Sequence, residues 1–209
     1  MELFYGRMSG NSARSAFALH EAGVPFTPRL LDTRSGENRS AEYLAVNPMG
    51  KIPALVDGAF RLWESNAINW YVAEKNPSSG LLPLTIEGRA AVQRWLFFQT
   101  AHVTPACALI FRATSRRMQE FWQMKGDEQA AETGRRELAR WLAVLEGALA
   151  GRQWLEGAFT LSDIAYAPHL WLVLEGGLDL ARYPSVRAWL DRLLDRPAWQ
   201  KTVDLVFGS

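Results

Sequence analysis

The stretch "NPMGKIPALVDGAFRLWESNAI", residues 47–68, carries strand, turn and helix signals in close succession. Its first apolar run, residues 52–56, contains Pro53, which has no N–H to donate to a sheet and is tolerated at the first position of a strand. Asp57-Gly58 separates this run from a second one, residues 60–62, and Asp-Gly between two short apolar runs is a strong hairpin signal. The stretch therefore predicts two antiparallel strands, the first of which begins at Pro53.

Ile52, the residue before Pro53, offers its backbone N–H and C=O groups at an edge of the predicted sheet. Such free groups can pair with an extended peptide, which then lies against the sheet as an additional strand. Taken alone, the proline is better explained as the start of a strand with no ligand. The residues that follow the hairpin favour a peptide-binding edge instead.

Glu64 and Ser65 stand side by side where the second apolar run gives way to a helical pattern that begins at Asn66. Ser65 would then be the N-cap of a helix, whose unpaired N–H groups and positive dipole end can hold a carboxylate. Glu64 can accept an ammonium group, and Lys51 can bind a second carboxylate. A capping serine beside a surface glutamate is the alternative for this pair in isolation. The combination predicts a site for a small peptide with an α-amino-acid head.

The segments before this stretch predict a small mixed sheet with helices. Strand signals at Glu2–Tyr5 and Phe26–Leu31 flank a helical pattern that ends before Gly23. A strand, a helix and a strand within ~30 residues form a βαβ unit, so these two strands are expected to be parallel. Pro28 marks the second of them as an edge strand. The helical patterns of this half lie at Ser12–Ala22, Ser40–Val46 and Asn66–Lys75.

A break rich in proline, glycine and serine, "NPSSGLLP" at residues 76–83, separates this half from a second half with helical periodicity almost throughout. In that second half, "FTLSDIAYAPHLWLVLE", residues 159–175, predicts one buried helix that a capping box of Thr160 and Asp163 opens. Pro168 lies near its first turns, where it is either tolerated or kinks the helix. The chain is therefore expected to contain an α/β domain at residues 1–76, a linker at 77–86 and an all-α domain at 87–209.

The composition excludes several classes of protein. The chain has 209 residues and a net charge of +1, with no stripe of one sign, so it lacks the electrostatic footprint of a nucleic-acid binder. No apolar run reaches the ~18 residues of a membrane-spanning helix, and the amino terminus lacks the layout of a secretory signal. The single cysteine, Cys107, excludes an internal disulfide and fits a reducing compartment, so we expect a cytoplasmic protein. The three histidines show no metal-ligand spacing, and no metal is expected.

The motif "NPMGKIPAL…ESNAI" resembles the glutathione-binding signature of the soluble glutathione transferases, and "SGNSARSAFAL", "LSDIA" and the helical second half match this family as well. The resemblance covers essentially the whole chain. It implies a thioredoxin-like α/β domain (β-α-β-α-β-β-α) followed by an all-α domain, a cis bond before Pro53 and a homodimer. It also implies that the thiol of glutathione is conjugated to a hydrophobic electrophile. The glutathione contacts that it implies are Asn38, Lys51, Ile52, Pro53, Glu64 and Ser65.

Such a reaction requires a group that stabilises the thiolate, because a free thiol has a pKa of ~8.5 and is only a few per cent ionised at neutral pH. A hydroxyl or amide donor at the start of the first helix provides this stabilisation. Tyr5 is expected to lie within the first strand, so the candidates are Ser9, Asn11 and Ser12. The segment from Met8 to Asn11 resembles the serine- or threonine-using bacterial members, which favours Ser9 and then Asn11. Ser12 is better explained as a helix cap, although it stays among the glutathione contacts.

Two other functions fit the same residues. The cysteine-using branches of the family carry a cysteine in the loop before the first helix, and none is present here, which disfavours dithiol chemistry. Glutathione-dependent reduction of disulfides or peroxides at the same site, and a non-catalytic interaction protein of the same fold, are the alternatives. The electrophile pocket is expected between the first loop and the first long helix of the second domain. Its candidate residues are Met8, Phe98, His102, Phe111 and Arg112.

Overall fold

A computed structural model describes the chain from Met1 to Gly208, and within these residues the chain folds into two compact units. The first unit comprises residues 1–82 together with the segment that starts at Arg196, and the second comprises Pro83–Asp195. The strands are β1 (Glu2–Tyr5), β2 (Thr27–Leu30), β3 (Ala54–Asp57) and β4 (Phe60–Trp63). The helices are α1 (Gly10–Glu21), α2 (Ala41–Leu44), α3 (Ser65–Lys75), α4 (Ile86–Phe98), α5 (Thr104–Thr114), α6 (Arg116–Trp122), α7 (Glu128–Leu149), α8 (Leu161–Ile164), α9 (Ala167–Glu175), α10 (Pro184–Leu194) and α11 (Pro197–Phe207).

The sheet of the first unit has the strand order β2-β1-β3-β4. Strands β1 and β2 are parallel, with Glu2 opposite Thr27, whereas β1 and β3 are antiparallel, with Leu3 opposite Leu55. Strands β3 and β4 form the expected hairpin after Asp57, and Gly58 has a φ of +61°, in the left-handed region that favours glycine. The expected mixed sheet, with a βαβ unit at one edge and a hairpin at the other, is confirmed.

The last helix, α11, belongs to the first unit, although the sequence-based division assigned residues 87–209 to the helical domain. Trp199 of α11 packs edge-on against Phe17 of α1, with 5.5 Å between the ring centroids. Arg196, just before α11, forms two hydrogen bonds with Glu21 at 2.5 and 2.8 Å. The segment after the second unit thus packs against α1 of the first unit. No short sequence pattern predicts this contact, because the residues that form it are far apart in the chain.

The second unit is all-helical, and one face of α7 contributes four leucines to its core: Leu138, Leu142, Leu145 and Leu149 are all buried. Residues 159–175 form two helices, α8 and α9, and not the single helix that the apolar pattern predicted. The helix breaks because Pro168, in the first turn of α9, has no N–H to offer to the preceding turn and its ring crowds the carbonyl there. None of the described helices is long and apolar enough to cross a membrane.

The capping box at the start of α8 is confirmed. The Thr160 hydroxyl accepts the backbone N–H of Ser162 at 3.3 Å, and the Asp163 carboxylate accepts the backbone N–H of Thr160 at 3.0 Å. Asp163 is completely buried, and it also accepts the backbone N–H of Leu155 at 3.0 Å and the indole N–H of Trp189 at 2.9 Å. This carboxylate therefore joins α8, α10 and the loop before α8 at one point in the second unit.

Candidate functional site

One cleft of the first unit brings together residues from three parts of the sequence. The cleft is open to solvent, and the space within it, with its open mouth included, is about 420 Å³. Six of the candidate residues line it together with two others: Asn11, Lys51, Ile52, Pro53, Glu64 and Ser65, and also Asn47 and Met49. The start of α1, the loop before β3 and the start of α3 therefore meet at this cleft.

The Ile52–Pro53 peptide bond is cis, as the family resemblance implied. Side chains hold the loop before it: Asn47 Nδ2 and the Tyr43 hydroxyl both donate to the Lys51 carbonyl at 2.6 Å. Burial raises the pKa of Tyr43 to about 12, so its hydroxyl remains a donor at neutral pH. Among the described residues, neither the N–H nor the C=O of Ile52 has a hydrogen-bond partner. The backbone of Ile52 is thus available to an extended peptide.

Asn38 does not line the cleft. Its side-chain amide donates to the Gly50 carbonyl at 2.6 Å, and this bond holds the loop that precedes Lys51. Asn47 and Met49 are lining residues that the sequence analysis missed. Their signal was present in the Asn-Pro-Met-Gly turn itself, since asparagine side chains commonly bond to the backbone two residues further along, and Asn47 Oδ1 does accept the Met49 N–H at 3.0 Å.

Helix α3 begins at Ser65, so the N-cap position belongs to Glu64 and not, as expected, to Ser65. Glu64 has a φ of +71°, which is uncommon for a residue with a side chain and is typical of strained backbone at functional sites. Ser65 is buried, and its hydroxyl oxygen accepts a hydrogen bond from Arg14 Nη1 at 2.9 Å. Because this bond uses only an oxygen lone pair, the hydroxyl proton of Ser65 can still be donated to a ligand.

Arg14 is a buried cation that the sequence analysis missed. It is only 2% exposed in the middle of α1, and its carbonyl accepts the side-chain amide of Asn69 at 3.4 Å. Ser15, the next residue, donates to the Ser65 carbonyl at 3.4 Å. These contacts tie α1 to the start of α3 and hold Ser65 at the cleft. An arginine within an otherwise small and apolar helical face was the available signal, because arginine is almost never fully buried without a partner.

Helix α1 begins at Gly10, two residues before the expected start, and Ser9 is its N-cap. Ser9 is not among the residues that line the cleft, although Asn11, two positions further along, is. The Ser9 hydroxyl oxygen accepts the backbone N–H of Ser12 at 3.2 Å. Ser12 is fully buried, its hydroxyl oxygen accepts the Gly6 N–H at 3.3 Å, and it does not line the cleft. The capping role expected of Ser12 therefore belongs to Ser9. Asn11 is exposed in the first turn, which contains no acidic residue, so the positive end of the α1 dipole is not neutralised.

The candidate residues for an electrophile pocket lie in both units. In the second unit, Phe98 and His102 form an aromatic cluster with Trp141, whose ring lies 5.7 Å from Phe98 and 4.7 Å from His102. Phe111 is buried with its ring 6.4 Å from that of His169, and Arg112 is exposed. In the first unit, Met8 is buried. The role of these five residues in binding an electrophile stays a prediction.

A thioredoxin-like α/β unit and an all-helical unit define the class of protein, and comparisons with known proteins agree with it. A glutathione S-transferase N-terminal domain model matches residues 1–74, and a C-terminal domain model matches residues 100–197. Glutathione S-transferase F10 of Arabidopsis thaliana is 36% identical over 205 residues, which cover 94% of both chains. Glutathione S-transferase 3 of Zea mays is 38% identical over 213 residues, which cover 97% of this chain and 93% of the relative.

Among solved structures, glutathione S-transferase-I bound with the ligand lactoylglutathione is similar, with a TM-score of 0.90 and 30% sequence identity. The match covers 98% of this chain and 99% of that one. The chain therefore belongs to the glutathione S-transferase family.

Proposed function

We propose that this protein is a glutathione transferase of the serine type, which conjugates the thiol of glutathione to a hydrophobic electrophile. The observation that carries the proposal is the cleft, in which Asn11, Lys51, Glu64 and Ser65 surround the free backbone of Ile52. The activity named for its relatives in Arabidopsis thaliana and Zea mays supports the same function.

Glutathione in an extended form matches the chemistry of this cleft from end to end. Its cysteinyl N–H and C=O pair with the backbone of Ile52, as an added strand does at a sheet edge. Its γ-glutamyl ammonium pairs with Glu64, and the adjacent carboxylate accepts hydrogen bonds from Ser65 and the first N–H groups of α3. Its glycyl carboxylate pairs with Lys51. In this arrangement Ser12 and Asn38 support the site without contact with the ligand.

Ser9 donates its hydroxyl proton to the glutathione thiolate, with Asn11 as a second donor. The Ser9 oxygen accepts the Ser12 N–H, and among the described residues its proton is donated to no protein atom. To lower the thiol pKa by ~2 units, the site must favour the thiolate by ~2.7 kcal/mol, which corresponds to one or two charge-assisted hydrogen bonds. A serine hydroxyl, an asparagine amide and the dipole of α1 together supply a contribution of this size.

We also propose that the protein is a cytoplasmic homodimer. Ile86 and Phe97 on α4 are 82% and 72% exposed, and a second copy of the chain would cover these apolar side chains. The fully buried Cys107, which burial holds in its protonated form, is compatible with a reducing compartment. Sedimentation velocity of the wild-type protein and of a Phe97→Glu variant tests the dimer, because the variant is expected to sediment as a monomer.

Calorimetric titration with glutathione tests the proposed binding site. We expect Glu64→Gln to weaken glutathione binding roughly 10-fold, because the substitution removes the charge that pairs with the ligand ammonium. The matched ligand is des-amino glutathione, which lacks this ammonium, and its affinity should differ by less than about 2-fold between the two proteins. If the wild-type protein gives no binding heat with millimolar glutathione, the proposed function is wrong.

The role of Lys51 is tested at the other end of the ligand. Lys51→Met is expected to raise the KM for glutathione by about 10-fold with little change in kcat, because a glycyl carboxylate contact acts equally in the ground and transition states. γ-Glutamylcysteine, which lacks the glycine, should react equally well with both proteins. Lys125→Met is the control for general charge, since Lys125 is exposed in the second unit.

A comparison of a chloronitrobenzene with a small disulfide as second substrate separates conjugation from reduction.

A further inference from the structure

The loop that carries Ser9 is attached to the end of α11. This loop, Gly6–Ser9, joins β1 to α1, and the N–H of Met8 within it donates to the Val206 carbonyl at 3.1 Å. The guanidinium of Arg7 donates to the Gly208 carbonyl, although the two residues are 201 positions apart in sequence. The two residues immediately before Ser9 are therefore both tied to the same short segment.

Helix α11 is held firmly enough to serve as a reference point. At its other end Arg196 pairs with Glu21, and Trp199 packs against Phe17, so the start of α11 is attached to α1. Val206 and Phe207, at the end next to the Ser9 loop, are almost completely buried. The Val206 carbonyl, which accepts the Met8 N–H, thus lies in a packed helix, and the Gly208 carbonyl, which accepts Arg7, lies at the residue directly after it.

Met8 has a rare backbone conformation at this attachment. Its φ of +58° lies in the left-handed region, which residues with side chains rarely adopt unless their surroundings hold them there. If the loop were released, Met8 would relax toward negative φ. The backbone that follows would turn with it, and the Ser9 hydroxyl would change direction.

We propose that Arg7 is a positioning residue for thiolate stabilisation. Its bond to the end of α11, together with the Met8 bond, holds the Ser9 hydroxyl in the direction in which it donates to the glutathione sulfur. This inference rests on the proposed function, because it concerns Ser9 as the thiolate donor. Arg7 does not line the cleft, and Lys51 and Glu64 lie on other elements, so the loss of Arg7 acts on the thiol and not on glutathione affinity.

The test is Arg7→Met, which keeps a long apolar stem and removes the donor. We expect the pKa of the bound glutathione thiol to rise by about 1 unit and kcat near pH 7 to fall roughly 10-fold, while the KM for glutathione changes by less than about 2-fold. Arg7→Lys keeps a donor, so its thiol pKa and its kcat should both lie close to the wild-type values. Ultraviolet absorbance of the thiolate, titrated with pH, measures the thiol pKa directly.

Arg196→Met is the matched control, because it removes the ion pair at the opposite end of α11 and leaves in place the Trp199–Phe17 contact and the burial of Val206 and Phe207. It should lower the melting temperature and leave the thiol pKa unchanged. An unchanged thiol pKa in Arg7→Met, or an equal shift in Arg196→Met, overturns the inference.

The Ser9→Ala variant separates this failure from that of the proposed function. If Ser9→Ala raises the thiol pKa and Arg7→Met does not, only the positioning role fails. If neither variant changes it, the assignment of Ser9 as donor fails as well. Should Arg7→Met lack a cooperative melt, hydrogen exchange on the wild-type protein decides. Glutathione must then slow exchange of the Met8 and Gly208 amides, and unchanged exchange at both overturns the inference.

Discussion

Replacement of Ser9 by alanine is expected to raise the pKa of the bound glutathione thiol by about 1–2 units and to slow conjugation near pH 7 roughly 10- to 100-fold. The Ser9 oxygen accepts the Ser12 N–H at 3.2 Å, which leaves the hydroxyl proton for the sulfur. Alanine removes this donor. The first turn of α1 contains no acidic residue, so no negative side chain repels a thiolate at this helix start. Glutathione affinity should change little, because the contacts along the peptide remain. A pH titration of the thiolate absorbance and steady-state kinetics provide the two measurements.

The control must account for the second role of Ser9, since its loss also removes the N-cap of α1 at a cost of ~1 kcal/mol. Thr85→Ala removes an equivalent cap from α4, where the Thr85 hydroxyl accepts the Gly88 N–H at 3.1 Å. This variant should lose similar stability with no change in the thiol pKa. Ser9→Thr, which keeps the hydroxyl, should retain most of the activity. An unchanged titration in Ser9→Ala would assign the thiolate donor to Asn11 and not to Ser9.

The parts of the fold that could be predicted from sequence are those with local causes. The hairpin after Asp57 follows from the Asp-Gly turn, and the capping box follows from the spacing of Thr160 and Asp163. The edge position of β2 follows from Pro28, which cannot donate to a central ladder. Each of these signals spans only a few residues, so no knowledge of the rest of the chain was needed.

The start of each helix at the cleft was misplaced because the serine expected at its cap bonds to a group outside that helix. Ser65 was expected to cap α3, but it lies inside the helix because its hydroxyl is engaged by Arg14, which is 51 positions away in sequence. Ser12 was expected to cap α1, but it is buried and bonds to the Gly6 N–H, so Ser9 takes the cap. Serine side chains bond equally well to nearby or distant groups, and only tertiary packing selects between them.

The same reason explains why the support of the site was less predictable than its lining. The residues that face the cleft have chemistry that matches a ligand, and six of the nine candidates for catalysis or glutathione binding do line it. The groups that hold those residues in place are chosen by proximity in the fold. Arg14 and the end of α11 are such groups, and the contact of Arg7 with Gly208 spans almost the whole chain.

The largest stability effect is expected at Asp163 in the second unit. Its buried carboxylate accepts N–H groups from Leu155, Thr160 and Trp189. Asp163→Ala leaves three buried donors without an acceptor, and each unsatisfied donor costs ~1–3 kcal/mol, so we expect a loss of about 3–5 kcal/mol after local relaxation. Urea unfolding of the wild type and the variant at the same pH measures the difference.

The pH dependence of that difference has a defined sign. Burial raises the pKa of Asp163 from 3.8 to about 6, against the opposing effect of the N–H groups that it accepts. The folded state therefore binds more protons than the unfolded state between these values, and the stability contributed by this protonation is present below about pH 4 and is lost as the pH rises through about 6. The difference in free energy of unfolding between wild type and Asp163→Ala should therefore decrease by about 1 kcal/mol from about pH 5 to about pH 7.5. A gap that widens with pH contradicts the raised pKa.

Asp127→Ala separates burial from capping. Asp127 is the exposed N-cap of α7, and its carboxylate accepts the Ala130 N–H at 3.0 Å. Both aspartates thus bond to a backbone N–H at a helix start, but only Asp163 is buried and also accepts the Trp189 indole N–H and the Leu155 N–H. Asp127→Ala should cost only ~1 kcal/mol, the usual value of an exposed cap. Equal losses in the two variants would mean that capping alone explains Asp163, whereas a loss several times larger at Asp163 identifies the buried three-way junction as the main stabilising contact.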